Sequence, residues 1–134
     1  MLQATWKREN ETVAEKIQEA HFETSILTYN DENALACVIS LAYYSARTYY
    51  TEIRELPSGK GFADIVYLPR KEHRDKPAMI IELKWNKDAE SAINQIKERN
   101  YPHTLKDYQG NLMVGINYNP KTKVHECLIE RLAI

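Results

Sequence analysis

The chain has 134 residues, with 18 Lys and Arg against 19 Asp and Glu, and a formal net charge of -1 at pH 7. This length allows one compact domain with its own core, and the charge balance excludes a basic field over the whole surface, so a polyanion would need a local patch. The longest uncharged stretch, 33–46, is shorter than the roughly 18 residues that span a membrane, and the N-terminus has no apolar signal core.

Two helices are predicted in the first part of the chain. Apolar residues at helical spacing indicate an amphipathic helix from Arg8 to Glu23. A second helix is predicted from Asp31 to Tyr49, with Asn30-Asp31 as N-cap, and its apolar residues cover most of its circumference. We therefore expect this helix to be largely buried. Tyrosines at its end are expected to pack in the core rather than to stack on bases, namely Tyr43, Tyr44, Tyr49 and Tyr50.

The next segments predict a β-hairpin. Residues 48–55 are rich in β-branched and aromatic side chains, and the Leu-Pro-Ser-Gly-Lys-Gly sequence at 56–61 is typical of a turn. The strand that carries Asp64 follows and ends at Pro69. Gly59 and Gly61 fit a tight hairpin turn, and a close approach of a phosphate backbone is the alternative explanation for them.

The second half of the chain predicts a strand, a helix and two more strands. Pro77 to Trp85 is nearly continuously apolar, as in strands at the centre of sheets. A third helix is predicted from Asp88 to Asn100. Leu112 to Tyr118 and Val124 to Leu132 alternate and predict two further strands, and in the second His125 and Cys127 should share a packed face.

Three charged side chains lie on the two central predicted strands. Glu82 and Lys84 are two residues apart, so they project to the same side of their strand. If Asp64 lies opposite, two carboxylates about 4 Å apart repel by roughly 4 kcal/mol at an effective dielectric of about 20. A divalent cation bound by both would offset this repulsion, and oxygen ligands suit magnesium. The alternatives are a surface ion pair for Glu82 and Lys84 and a turn cap for Asp64.

This order of elements, with Asp on the second strand and Glu-x-Lys on the third, resembles the PD-(D/E)XK nuclease superfamily. Three segments, 54–66, 80–85 and 95–101, more narrowly resemble the nuclease domain found at the C-terminus of bacterial AAA-ATPase-like proteins. The resemblance implies an α/β fold of the restriction-endonuclease-like type. Its three-layer core has a mixed central sheet of about five strands flanked by helices, with an extra N-terminal helix. We expect a single domain, 1–134, with an accessory helix in 1–28 and the core in 29–134.

The resemblance also implies roles for individual residues. Asp64 and Glu82 would bind Mg²⁺ or Mn²⁺, and Lys84 would orient or activate the attacking water and stabilise charge on the phosphate. Glu32 matches the helix-borne acid that reaches the metal directly or through water, although an acid in the first turn of a helix is also favoured by the helix dipole. Asp31 is the neighbouring candidate and fits the cap position better.

Two further residues are candidates for substrate binding. Gln95 resembles a polar helix residue that contacts the site or the substrate in relatives, and an amide bonded to the helix flank is its alternative interpretation. Lys60, between two glycines, could contact phosphate. Tyr101 falls six residues after Gln95, whereas a related nuclease branch has a spacing of four, so we expect Tyr101 to pack the helix end instead.

These observations predict a metal-dependent nuclease domain that hydrolyses DNA phosphodiester bonds with a metal-activated water. The first alternative is a catalytically inactive or weak binding or regulatory module that serves an ATPase-like partner domain of the same parent protein. The second is a nucleic-acid-binding domain without catalysis. A homodimer is compatible with cutting both strands.

The cysteines and histidines give no sign of other chemistry. Cys37 and Cys127 lie far apart without a C-x-x-C motif, which predicts buried free thiols in a reducing, cytoplasmic environment. The four histidines are scattered and form no zinc motif, so they are expected to be surface or satisfied residues: His21, His73, His103 and His125.

Overall fold

The computed structural model describes residues 1–23, 32–58, 61–98, 105 and 107–132. Within these ranges the α-helices are α1 Leu2–Trp6, α2 Asn10–Glu23, α3 Glu32–Ala42 and α4 Ala89–Glu98. The strands are β1 Tyr50–Ser58, β2 Gly61–Pro69, β3 Met79–Trp85, β4 Leu112–Asn119 and β5 Val124–Arg131. Two short 3-10 helices occupy Tyr44–Thr48 and Lys71–His73.

The strands form one mixed sheet in the order β1-β2-β3-β4-β5. β1, β2 and β3 pair antiparallel, β3 and β4 pair parallel, and β5 returns antiparallel to β4. A parallel pair needs a crossover connection, and α4 lies between β3 and β4 in the chain. The predicted mixed five-stranded sheet with flanking helices and an additional N-terminal helix is confirmed.

The two faces of the sheet are covered by different helices, because successive side chains of a strand point to opposite sides. On one face, α2 and α3 pack against a cluster that includes Ile81, Leu83 and Val114. On the other face, α4 packs against a smaller cluster that includes Val66, Ile80 and Met113. Even-numbered positions of β3 therefore face α4, which places Glu82 and Lys84 on that side.

The start of the chain differs from the sequence prediction. The helix α1 was not predicted, and the second predicted helix ends at Ala42 and continues as a 3-10 turn rather than reaching Tyr49. Thr5 Oγ1 lies 2.7 Å from the hydroxyl of the buried Tyr43, and Trp6 Nε1 donates to the hydroxyl of Tyr50 at 2.8 Å. These bonds join α1 to the end of the α3 segment and to β1.

The environments of the tyrosines and cysteines are mixed. Tyr43 and Tyr50 are buried as predicted, whereas Tyr44 is 67% exposed. Cys127 is buried and Cys37 is exposed, so the expectation of two buried thiols was wrong for Cys37, which lies on the outer side of α3. Among the described residues, every helix is too short or too polar to span a lipid bilayer.

Gly115 of β4 lets α4 approach the sheet closely. A Cβ atom at this position would lie 2.5 Å from the carbonyl oxygen of Ala89, 3.0 Å from Cβ of Ala92 and 3.1 Å from Cγ1 of Ile93. Gly115 is also the register partner of Glu82. The absence of a side chain in β4 therefore sets the distance between α4 and the part of β3 that carries Glu82.

His125 joins β5 to α2 and is predicted to make the fold sensitive to acid. Burial, reinforced by neighbouring His21, lowers the pKa of His125 to about 4, and its Nδ1 lies 2.6 Å from Oε1 of Gln18. The unfolded chain takes up this proton near pH 6.5, whereas the folded chain does so only near pH 4. The free energy of unfolding should therefore fall as the pH drops through this window, by at most about 3 kcal/mol.

The check is urea denaturation over this pH range for the wild type and for His125→Gln, which cannot gain the proton. Because distant carboxylates titrate equally in both proteins, the difference between the two pH profiles reports His125 together with its interaction with His21. We expect the variant to lose less stability on acidification. Parallel profiles would show that His125 does not carry the effect.

Candidate functional site

The first acid, Asp64, lies where β2 separates from β3. The antiparallel pairs between these strands run from Tyr67↔Met79 to Ile65↔Ile81. Beyond the last pair, the next residue of β2 is Asp64 and the next residue of β3 is Glu82. Here Oδ2 of Asp64 accepts a hydrogen bond from the backbone N–H of Leu83 at 2.8 Å. If the β2–β3 ladder continued, a main-chain carbonyl of β2 would accept from this N–H; here the side-chain carboxylate accepts instead.

The second acid, Glu82, is almost fully buried, with 2% of its surface exposed. It lies at the centre of β3, between the neighbours β2 and β4, and faces α4. Its Oε1 accepts a hydrogen bond of 2.6 Å from Nε2 of Gln95 on α4. Burying a carboxylate costs free energy unless it is bonded to donors or cations, which makes an acid at this position a candidate for a functional role.

Gln95 connects Glu82 to Lys84. The side-chain ammonium of Lys84 donates to Oε1 of Gln95, while Nε2 of the same amide donates to Glu82. A carboxylate only accepts and an ammonium only donates, so a single orientation of the amide satisfies both partners. Because the amide is carried by α4, the relative positions of the acid and the amine depend on how this helix lies on the sheet.

Two polar residues that the sequence did not single out fix the connection between β3 and α4. Oδ1 of the buried Asn117 accepts from the N–H of Lys87 at 2.9 Å, and Oε1 of Glu126 accepts from the N–H of Ala89 at 2.6 Å. The carboxylate of Glu126 therefore satisfies a free N–H at the positive end of α4. Both contacts join residues 30 or more positions apart, so no local motif could have revealed them.

The described donor set suits a hard cation. Asp64 and Glu82 offer carboxylate oxygens from neighbouring strands on one face, and Mg²⁺ commonly uses one or two carboxylates together with water and phosphate oxygens. Within the described residues there is no group of three or more His, Cys, Asp or Glu side chains that could hold a metal. Carboxylate oxygens are ligands that suit hard divalent cations.

The described structure brings together four of the predicted residues around Gln95 and the end of the β2–β3 ladder: Asp64, Glu82, Lys84 and Gln95. Glu32 begins α3, but its side chain is outside the described part. Other residues discussed from the sequence lie outside the described ranges altogether, namely Asp31, Gly59, Lys60, Tyr101 and His103.

Comparison with models of known protein families gives a match. The sequence model of the PD-(D/E)XK nuclease superfamily matches residues 30–127. The matched range contains α3, all of β1 to β4 and the four residues around Gln95. No curated protein and no solved structure matches the chain.

Proposed function

Since this chain belongs to the PD-(D/E)XK nuclease superfamily, we propose that it is a metal-dependent nuclease that hydrolyses phosphodiester bonds of DNA. The observation that supports this proposal is the Glu82–Gln95–Lys84 connection beside Asp64. It combines negative oxygen ligands with a positive charge at one end of the central strand, as a hydrolytic site for a phosphate ester requires.

Asp64 and Glu82 are the residues proposed to hold the cation, which is Mg²⁺ or Mn²⁺, and Glu32 is a further candidate ligand. When bound, such an ion lowers the pKa of the attacking water and offsets charge on the phosphoryl oxygens. The backbone N–H of Leu83 fixes one oxygen of Asp64, and Gln95 fixes one oxygen of Glu82. Both carboxylates are thus oriented by the protein before any ligand arrives.

Lys84 is proposed to act on the water and on the phosphate. Its ammonium lies on the same face as Glu82 and is held by Gln95, so it can orient a water molecule or stabilise negative charge that develops on the phosphate. Gln95 is proposed both to position Lys84 and to contact substrate, and Lys60 to contact a phosphate. An amine held in place in a half-buried site stabilises a developing charge better than one that moves freely in water.

The test is plasmid nicking by the purified protein with Mg²⁺ or Mn²⁺. Lys84→Ala should lower the cleavage rate by about 100-fold or more, because it removes the positive charge nearest the reacting phosphate. Lys71→Ala is the matched control, since Lys71 is exposed and precedes the opposite end of β3. It should cleave like the wild type, and added chelator should stop cleavage by both.

Other outcomes identify the alternatives. Lack of cleavage by the wild type with either ion would contradict the nuclease and favour a regulatory module of nuclease fold. DNA binding that persists in chelator and after Asp64→Ala, without cleavage, would indicate a DNA-binding domain. Cleavage that survives in Lys84→Ala at the wild-type rate would remove Lys84 from the proposed chemistry.

The proposal extends to partners because segments 54–66, 80–85 and 95–101 resemble the nuclease domain found at the C-terminus of bacterial AAA-ATPase-like proteins. An ATPase-like domain of the same parent protein would be the neighbour of this domain. A homodimer would supply two sites for cutting both strands of a duplex. Size-exclusion chromatography with and without duplex DNA distinguishes a stable dimer from a monomer.

A further inference from the structure

A group of exposed lysines lies beside the proposed site. Lys87 follows the end of β3, and Lys121 and Lys123 lie in the turn between β4 and β5. We call these three residues the lysine edge. Within the described parts of the chain, none of the three forms a salt bridge. Their charges are therefore available to an external anion.

Two hydrogen bonds join the connection that carries Lys87 to the end of β4, which leads into the turn that carries Lys121 and Lys123. The N–H of Asn86 donates to the carbonyl of Tyr118 at 2.7 Å, and the N–H of Lys87 donates to Oδ1 of Asn117 at 2.9 Å. Asn117 is also the register partner of Lys84. The lysine edge thus continues from the end of the sheet that carries Lys84.

The β4–β5 turn is held in one conformation by its own hydrogen bonds. Oδ1 of Asn119 accepts from the N–H groups of Lys121 and Thr122, and the N–H of Lys123 donates to the carbonyl of Asn119 at 2.7 Å. From α2, Nε2 of Gln18 donates to the carbonyl of Lys123 at 3.0 Å. The backbone under both lysines is therefore fixed before a ligand binds, which lowers the entropic cost of binding.

The neighbouring acids are partly neutralised by α4. Oδ1 of Asp88 accepts from the N–H of Ser91 at 2.6 Å, and Oε1 of Glu126 accepts from the N–H of Ala89 at 2.6 Å. Their negative charges face the positive end of the helix, and the hydrogen bonds of Asp88 lower the pKa of its carboxyl group. Glu90 is a further exposed acid in the first turn of this helix.

From these contacts we propose that the lysine edge binds phosphates of the DNA strand that flank the one placed at Lys84. This inference rests on the proposed function, and it states where the bound DNA strand runs over the protein surface. Lys121 lies four positions after Asn117, the register partner of Lys84, which corresponds to at most about 13 Å of chain. Successive phosphates of one strand lie about 3.4 Å apart along the duplex axis. The lysine edge therefore reaches phosphates within about four nucleotides of the cleaved bond.

The experiment measures the salt dependence of DNA binding, which counts phosphate contacts. A short fluorescein-labelled duplex is titrated with protein in chelator, so that no cleavage occurs, at several KCl concentrations. The variant Lys87→Ala/Lys121→Ala/Lys123→Ala should reduce the steepness with which log K falls with log salt by about 3, because each lost phosphate contact reduces this steepness by about 1. Each single variant should lower it by about 1.

A second triple variant controls for total charge. Lys7→Ala/Lys71→Ala/Arg74→Ala also removes three exposed positive charges, all outside the loops next to Lys84. It should keep the wild-type slope. Equal slopes for the wild type and the lysine-edge variant, or equal reductions in the two triple variants, would overturn the inference.

Cleavage is measured separately with Mg²⁺, so that the two proposals can fail independently. A wild type that binds DNA through the lysine edge but never cleaves would contradict the nuclease and leave the binding surface supported. A wild type that cleaves, with a lysine-edge variant of unchanged salt slope, would contradict the surface and leave the nuclease supported.

Discussion

Glu82→Gln is expected to lower the cleavage rate by more than about 100-fold while leaving the fold intact. The substitution keeps the length of the side chain, and the new amide oxygen can still accept from Nε2 of Gln95. What it removes is the negative charge that would bind the cation. Because this charge is buried in the centre of the sheet, the free energy of unfolding without metal should stay equal or rise by about 1 kcal/mol.

Plasmid nicking with Mg²⁺ and urea denaturation in chelator are the two measurements. Glu90→Gln is the matched control, because Glu90 is exposed on the first turn of α4 and outside the contacts around Gln95. It should change neither quantity appreciably. A Glu82→Gln protein that still cleaves at the wild-type rate, or that is less stable by several kcal/mol, would contradict the role given to Glu82.

Gly115→Ala is expected to lower both the free energy of unfolding, by about 1 to 3 kcal/mol, and the cleavage rate. The added methyl group would lie 2.5 Å from the carbonyl oxygen of Ala89, so α4 must move away from β4. Gln95 is on the same helix and would move with it, which loosens the contact of Lys84 and Glu82 with the amide. The acids themselves are unchanged.

Gly110→Ala is the control that distinguishes the effect of displacing α4 from the effect of lower overall stability. Gly110 has φ of 66°, and a Cβ atom added to it would have no neighbouring atom within 4 Å, so the methyl group strains the backbone there without pushing on α4. It should lower stability by about 1 kcal/mol and leave the cleavage rate of the folded protein unchanged. If both variants cleave at equal rates under conditions where they are folded, Gly115 has only a structural role.

The parts of the fold that depend on local patterns were predictable. Pro69 marked the end of β2, and the apolar run before Glu82 marked the central strand. The two-residue period of a strand placed Glu82 and Lys84 on one face, and the structure places them there facing α4. An isolated Gly115 inside a strand was a further signal of close backbone approach that the sequence analysis did not use.

Contacts between distant residues were not predictable from the same patterns. The helix α1 has five residues, too few to show a helical period, and it is joined to the rest of the fold by Thr5 and Trp6. The cap that Glu126 gives to α4 joins residues 37 positions apart. The roles of Asp64, Glu82, Lys84 and Gln95 stay predictions until they are measured.

The short ladder between β2 and β3 divides the proposed site into two parts of the chain. Glu82, Lys84 and Gln95 belong to one continuous segment, β3 to α4, whereas Asp64 belongs to the preceding hairpin. The ladder between them has only three residue pairs, from Ile65↔Ile81 to Tyr67↔Met79. Insertions or deletions in the connection 70–78 would shift one acid relative to the other through this ladder. They would also disturb contacts that the connection makes with the core, such as the hydrogen bond from the hydroxyl of Tyr50 to the carbonyl of Pro77. The length of the connection is therefore tied both to the spacing of the two acids and to the packing around Tyr50.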